Sequence, residues 1–230
     1  MVVIKLENVK NHFEEEANEF DRIIKVIIPS YEQMIEVLIE TIPFPEAADI
    51  KVLDLGCGTG NISSKIKERF PNSKITCLDL AENMIEMAKI KLSKYDDIIY
   101  KNLDFRDFDF KGDFDVVVSS LAIHHLTNED KESIYKNIYN SLVPGGVFYN
   151  ADTVLGANDK LQEIYMEKWT NHMMKKISKG ELEKKWLPKH KDEDIPAKLT
   201  EHIKWMNKAG FKGIDIVWKY YYFAVYGGTK

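Results

Sequence analysis

The residues with the clearest chemical potential form a glycine-rich turn flanked by carboxylates. Residues 52–60 read VLDLGCGTG, an apolar stretch that contains Asp54 and runs into three alternating glycines: Gly56, Gly58 and Gly60. A second apolar stretch, ITCLD, ends in Asp79. A strand, a glycine turn, a helix and an acid-ended strand build a nucleoside pocket at the carboxyl edge of a parallel sheet. The sequence therefore predicts a nucleoside ligand at this edge.

The spacing of the glycines and the position of the first acid discriminate between nucleosides. Dinucleotide folds use G-x-G-x-x-G, with a helix N-terminus aimed at a pyrophosphate. Here the third glycine comes one residue earlier, and Asp54 stands two residues before the first glycine. A carboxylate repels a phosphate and attracts a cation. The pattern therefore favours a positively charged ligand without phosphate.

In residue order and glycine spacing, this segment resembles motif I of the class I S-adenosylmethionine (SAM)-dependent methyltransferases. SAM carries a sulfonium and an ammonium group and no phosphate. Three further segments match in the family's order: Asp79 to Met84 resembles its second motif, Leu103-Asp104-Phe105 its adenine-binding position, and residues 114–126 its fourth strand and following loop. The resemblance covers roughly residues 50 to 150 and implies SAM as cofactor and S-adenosylhomocysteine as product.

The resemblance also implies a role for individual residues. The glycine loop would approach the methionine part, with Asp54 holding the loop and biasing the site towards cations. Asp79 would accept from both ribose hydroxyls, Asp104 from the adenine amino group, and Ser120 would meet the amino-acid end. The full set of expected cofactor-binding residues is Tyr31, Asp54, Gly56, Cys57, Gly58, Gly60, Asp79, Leu80, Met84, Asp104, Phe105 and Ser120.

The adjacent His124 and His125 are the candidates for acid–base catalysis. They follow the fourth predicted strand, where an acceptor would lie close to the donor. A histidine titrates near neutral pH and suits deprotonation of an acceptor, although a loop histidine can equally be a structural hydrogen-bonding residue. The sequence shows no Cys or acid partner beside this pair, so no metal site is predicted.

Composition and charge narrow the class of protein. The chain of 230 residues suits one α/β domain. Its 37 acidic and 32 basic residues give a net charge of -5, which disfavours a nucleic-acid partner. No apolar run is long enough to cross a membrane, and Cys57 and Cys77 indicate free thiols in a reducing compartment. We expect a cytoplasmic protein with a small-molecule acceptor and no membrane partner; the oligomeric state, a homodimer included, stays open.

The hydrophobic pattern predicts the order of the elements. Two helices, at 11–28 and 30–41, come first. They are followed by strand 50–55, helix 60–69, strand 74–79, helix 82–94, and strands 97–102 and 114–119. Helix 129–141 ends before Pro144-Gly145-Gly146, which leads to strand 147–152. Helix 197–209 and strands at about 213–218 and 220–226, with a break near Lys219, complete the chain. We expect a Rossmann-like, seven-stranded, mostly parallel sheet with the family's antiparallel C-terminal hairpin, in a single domain 1–230.

Two segments would cover this sheet. Residues 1–45 form a helical N-terminal cover, and residues 155–195 a helical insert over the acceptor site. The insert's large side chains either line an acceptor cavity or pack the insert onto the sheet; they are Tyr165, Met166, Trp169, Met173, Met174 and Trp186.

The favoured function is methyl transfer from SAM to a small molecule, with two alternatives. The I/V-P-x-Y segment at 28–31 and Ala209-Gly210-Phe211 also resemble carboxy-SAM synthases, which are linked to tRNA modification. In that family an arginine in the preceding helix pairs with the cofactor's added carboxylate, whereas residues 202–208 here contain lysines and no arginine. The other alternative is a SAM-binding regulatory protein without turnover.

Overall fold

A single mixed β-sheet forms the centre of the protein. The computed structural model describes the backbone of residues 2–230 and the side chains of residues 7–230. Residue 1, which belongs to the predicted N-terminal cover and the predicted domain, lies outside the described residues. The sheet order is β3-β2-β1-β4-β5-β8-β7, with β1 to β5 parallel and β8 antiparallel to both neighbours. The strands are β1 (Lys51–Leu55), β2 (Lys74–Asp79), β3 (Ile98–Asn102), β4 (Phe114–Ser120), β5 (Leu142–Leu155), β6 (Ala197–Lys198), β7 (Lys212–Tyr220) and β8 (Phe223–Thr229).

This topology confirms the predicted Rossmann-like sheet with an antiparallel C-terminal hairpin. The sequence pattern missed the two-residue strand β6, which pairs with the end of β5 through Val154 and Ala197. It is too short to show a hydrophobic alternation of its own.

Helices cover both faces of the sheet and its carboxyl edge. They are α1 (Val2–Glu16), α2 (Phe20–Ile27), α3 (Tyr31–Glu40), α4 (Asn61–Arg69), α5 (Glu82–Lys91), α6 (Asn128–Ser141), α7 (Asp159–Met173), α8 (Lys179–Glu181), α9 (Leu187–Glu193) and α10 (Leu199–Ala209). A π-helical turn (Leu182–Trp186) joins α8 to α9. Apolar side chains of α3, α4 and α5 share a buried cluster with one face of the sheet, while those of α6 and α10 share a second cluster with the other face. No helix in residues 2–230 is long and apolar enough to span a membrane.

Three predicted boundaries were wrong. The helix predicted at 11–28 is two helices that break at residues 17–19, because α1 packs on α5 and α9 whereas α2 packs on α3 and α7. Pro144-Gly145-Gly146 lies inside β5 rather than between elements, since Gly145 N–H donates to Lys230 O and Lys230 N–H donates to Gly146 O. The hairpin turns at Tyr221, whose φ is 47°, and not at Lys219.

Asp54 is fully buried between β1 and α4. Its Oδ2 accepts a hydrogen bond of 2.6 Å from Ser63 Oγ, whereas Oδ1 has no hydrogen-bond partner among the described residues. Burial raises the pKa of the Asp54 carboxyl to about 7. The carboxyl therefore binds its proton more tightly in the folded state than in the unfolded chain, where an aspartate pKa is about 3.9. Its contribution to stability is consequently largest below pH 4 and falls as the pH rises to 7.

We expect the substitution Asp54→Asn to remove this pH dependence. As the pH rises from 4 to 8, the ligand-free wild type should lose roughly 1 to 4 kcal/mol of unfolding free energy relative to the variant. Urea denaturation at both pH values measures it, and Asp49→Asn, at an exposed carboxylate that pairs with Lys74, is the matched control. A difference that does not change with pH would contradict the burial of a titrating carboxyl.

Candidate active site

The glycine loop after β1 is tied to β2 and packs closely on the loop after β4. Gly56 and Cys57 N–H groups donate to Leu78 O at 2.8 and 3.0 Å. Gly56 has a φ of 70°, and a Cβ atom there would lie 2.4 Å from Ala122 Cβ. Only glycine fits this position without displacing a loop. The first glycine therefore sets the distance between the two loops.

Asp79, at the end of β2, organises the loop from the other side. Its Oδ2 accepts from Gly58 N–H at 2.8 Å and its Oδ1 from Ala81 N–H at 2.9 Å. Burial raises the pKa of the carboxyl to about 6. An ionised carboxylate offers roughly four acceptor positions. Asp79 therefore keeps acceptor capacity for a ligand in the cavity that it lines.

Two adjoining cavities bring most of the predicted cofactor residues together. The larger, which we call the donor cavity, measures about 630 Å³, and its walls include Gly56, Gly58, Asp79, Leu80, Met84, Asp104, Phe105 and Ser120. A smaller cavity of about 300 Å³ includes Tyr31 and Cys57 and shares Gly56, Gly58 and Ser120 with the first.

Two of the predicted cofactor residues line neither cavity. Asp54 accepts a hydrogen bond from Ser63 beneath the loop, which agrees with its expected part in holding the loop, but its side chain lines neither cavity. Gly60 precedes α4 with a φ of 82°, and a Cβ atom there would lie 2.9 Å from Leu92 Cδ1. The third glycine therefore serves the packing of α4 against α5.

Asp104 is fixed at the rim of the donor cavity by Arg106. The guanidinium Nη2 lies 2.6 Å from Asp104 Oδ2, and the Arg106 backbone N–H donates to Oδ1 at 2.8 Å. Such forked pairing orients a carboxylate. Phe105 lines the cavity beside it.

A third cavity of about 750 Å³, which we call the acceptor cavity, shares wall residues with the donor cavity. Side chains of α1, α2, α7 and α9 cover it, and Tyr222 and Phe223 contribute from the C-terminal hairpin. Of the six large insert side chains, Trp169 and Trp186 line it. Met173 is buried in the core, Met174 is exposed, and Tyr165 and Met166 pack against the core cluster.

Four side chains line both the donor and the acceptor cavity: Phe13, Phe20, Leu121 and His125. Leu121 has a φ of 53°, a conformation that a branched residue rarely adopts and that stores roughly 1 to 3 kcal/mol. Its N–H donates to Ala151 O at 2.9 Å, which holds it there. Sequence reasoning placed Leu121 in the loop after the fourth strand but assigned neither Phe13 nor Phe20 to a site, because an apolar side chain carries no chemical signature in the sequence.

His124 is clamped by two carboxylates. Its Nδ1 lies 2.5 Å from Asp152 Oδ1, its backbone N–H donates to Asp152 Oδ2, and its Nε2 lies 3.5 Å from Asp194 Oδ1. Burial alone would lower the pKa of His124, but Asp152 and Asp194 outweigh it and raise the pKa to about 10. An imidazole that holds its proton so firmly is a poor general base at neutral pH.

The surroundings of His125 shift its pKa in the direction opposite to that of His124. Burial and the charge of His124 lower the pKa of His125. Its Nδ1 lies 3.3 Å from both Glu193 O and Asp194 Oδ1, while its buried Nε2 has no hydrogen-bond partner among the described residues. Of the predicted pair, His125 is therefore the histidine that faces both cavities with an uncommitted ring nitrogen.

The partners of this histidine pair come from distant parts of the chain. Asp152 lies on β5, and Asp194 follows α9. Ile195 N–H donates to His124 O at 2.9 Å, and the buried Lys131 ammonium donates to Leu126 O and, at 2.6 Å, to Ile195 O. Asp152 could have been suspected from its place at the end of a buried strand, but nothing near Asp194 in the sequence marks it.

Comparison with known proteins agrees with this geometry. Residues 52–146 match a family described as a methyltransferase domain. The chain is 26% identical over 221 residues to a carboxy-S-adenosyl-L-methionine synthase of Nautilia profundicola, covering 94% of this chain and 93% of that protein. It is 27% identical over 226 residues to a demethylmenaquinone methyltransferase of Lactococcus lactis, covering 94% and 86%.

A solved structure shows the same fold. The human N-acetylserotonin methyltransferase, in complex with SAM, superimposes with a TM-score of 0.65 at 16% identity. The match covers 96% of this chain and only 56% of that one. Fold, matched domain and relatives agree: the chain resembles the class I SAM-dependent methyltransferases, whose cofactor is SAM, and it also resembles the carboxy-SAM synthases.

Proposed function

We propose that the protein transfers the methyl group of SAM to a small-molecule acceptor. The observation that carries this proposal is the junction of a carboxylate-lined donor cavity with a helix-covered aromatic cavity at Phe20, Leu121 and His125. In the reaction the acceptor's electron pair forms a bond to the methyl carbon while the carbon–sulfur bond breaks. S-adenosylhomocysteine leaves as a neutral thioether, and alignment of the two reactants supplies much of the rate.

The donor cavity supplies matching partners for each part of SAM. Asp79 accepts from the ribose hydroxyls, Asp104 from the adenine amino group, and Phe105 contacts the ring. Gly56 and Gly58 bring backbone close to the methionine part, with Ser120 and Tyr31 at its amino-acid end, where they line the smaller cavity. Met84 and Leu80 provide apolar contact from the second motif.

The cover of the acceptor cavity favours a small acceptor over a polymer. Helices α1 and α2, the insert and the hairpin all contribute side chains to its wall, among them Trp169, Trp186 and Tyr222. A covered cavity lined by aromatic side chains suits a small organic molecule. The net charge of -5 also disfavours a nucleic-acid acceptor.

Synthesis of carboxy-SAM is the second candidate, favoured by the relatives of that name. The arginine expected in α10 is absent, and the lysines there do not replace it: Lys204 is exposed beside Glu201, and Lys208 pairs with Glu132. Neither lines the donor or acceptor cavity. Mass spectrometry of cofactor retained through purification distinguishes the candidates, because a carboxylated cofactor would favour the synthase.

Asp79→Ala tests the donor site. We expect the dissociation constant for SAM to rise at least about 10-fold, or ~1.4 kcal/mol, because the ribose loses its charged acceptor and the loop loses its bond to Gly58. Isothermal titration calorimetry measures it, with Asp109→Ala, at an exposed carboxylate, as control. Unchanged affinity in the Asp79 variant would remove the assigned role.

His125→Asn tests the acceptor side. The shorter side chain keeps a donor near Glu193 O but removes the imidazole ring that lines both cavities. We expect turnover to fall about 100-fold while the SAM dissociation constant changes less than about 3-fold. Release of S-adenosylhomocysteine with a small-molecule cell extract measures turnover, and His172→Asn is the control.

Two results would count against this account. Full turnover in the His125 variant would exclude contact between its side chain and the acceptor. Absence of product from wild type in every extract, together with normal SAM binding, would favour a regulatory protein.

A further inference from the structure

Three potential metal ligands meet in the wall of the acceptor cavity. One ring nitrogen each of His124 and His125 and a carboxylate oxygen of Asp194 all lie within 4.8 Å of one another. Asp194 Oδ1 is 3.5 Å from His124 Nε2 and 3.3 Å from His125 Nδ1. In a tetrahedral zinc site with bonds of 2.0–2.1 Å, neighbouring ligand atoms are about 3.3 Å apart. These two separations therefore leave room for one ion between the ligands.

The hydrogen bonds around His124 resemble those around a metal-binding histidine. A metal-bound imidazole usually donates from its other ring nitrogen to a carboxylate, which fixes the ring and its tautomer. His124 Nδ1 makes such a contact, at 2.5 Å, with Asp152 Oδ1, and this directs Nε2 towards Asp194. The second oxygen of Asp194 is held at 2.7 Å by His190 Nδ1.

The backbone fixes the two halves of this cluster against each other. Ile195 N–H donates to His124 O, and the Lys131 ammonium bridges Leu126 O and Ile195 O. The carboxylate of Asp194 is thus held beside a loop about 70 residues earlier in the sequence. A site on supported side chains needs little rearrangement to bind an ion.

We propose that His124, His125 and Asp194 bind one divalent transition-metal ion in the wall of the acceptor cavity. Two imidazoles and a carboxylate select zinc, iron or cobalt over magnesium or calcium, which prefer sites made of oxygen ligands. Three protein ligands leave at least one coordination position for a ligand from the cavity. All three residues line that cavity.

The position of the ion indicates what it would do, and this step depends on the proposed methyl transfer. An acceptor oxygen bound to the ion would be oriented beside Leu121 and Phe20, where the two cavities meet. The ion would lower the pKa of a bound hydroxyl, whose proton passes to water or buffer, so that an oxygen lone pair can attack the methyl carbon. The acceptor class is then a molecule with a coordinating hydroxyl or enol oxygen.

Zinc titration of the purified full-length protein tests the site. After dialysis against a chelator, calorimetry should give one Zn²⁺ per chain with a dissociation constant of about 1 µM or tighter. Asp194→Asn and His124→Gln should each weaken binding at least about 100-fold, and Asp152→Asn, outside the ligand set, about 10- to 100-fold. His172→Asn, a histidine outside the cluster, should bind as wild type does.

A spectroscopic measurement on wild type makes the test independent of how the variants fold. X-ray absorption of the zinc-loaded protein should show only nitrogen and oxygen ligands, including two imidazoles. No zinc binding, unchanged affinity in Asp194→Asn, or a sulfur ligand would overturn the site and leave the cluster as an ion-pair network. SAM affinity, measured on the same chelated sample, reports separately on the donor cavity, so failure of the metal site is distinguishable from failure of the proposed function.

Discussion

The close approach of the loops after β1 and β4 is the constraint on which the rest of the site depends. Gly56 lacks a side chain where Ala122 would collide with one, and its N–H is bonded to β2. This contact places the donor cavity next to the histidine pair. Leu121, which precedes Ala122, has a left-handed conformation and lines both cavities. Strain of this kind persists only where surrounding structure holds it, and here the hydrogen bond to Ala151 does so.

Buried carboxylates at the ends of parallel strands define the chemistry of the site. Asp54, Asp79 and Asp152 lie on β1, β2 and β5, and each has a different set of partners. Asp79 accepts backbone N–H groups and still lines the donor cavity, whereas Asp152 is fully buried and accepts from His124, which lines the acceptor cavity. Burial of a charge is costly unless partners compensate it. These partners therefore decide which carboxylate supports the backbone and which faces a ligand.

A cluster of charged side chains, in addition to apolar packing, joins the helices that cover the acceptor cavity. His12 on α1 lies 2.5 Å from Glu193 on α9 and 2.9 Å from Glu16. Glu16 is in turn 2.9 Å from both Lys185 and Lys189, and these partners outweigh burial and lower the pKa of its carboxyl well below the usual range. The N-terminal helix and the insert are thereby fastened to each other over the cavity. This cover distinguishes the chain from its fold, because the same sheet and glycine loop serve many chemistries.

The sequence by itself determined the parallel sheet, the antiparallel hairpin and the cofactor. The sheet and the hairpin depend on the order of apolar strands and helices along the chain, and the cofactor on alternating glycines and acids between residues 54 and 104. It also marked the histidine pair, but not the difference between its members.

Only the tertiary structure decided which residues share a cavity and what state they are in. It placed the Asp54 side chain beneath the loop and outside the cavities, gave His124 and His125 opposite environments, and brought Asp194 to them from the far end of the insert. Contacts between distant segments leave no spacing rule in a single sequence, because the turns between them set the geometry. The pKa of a buried group depends on all its neighbours at once, and those neighbours are fixed only when the chain folds.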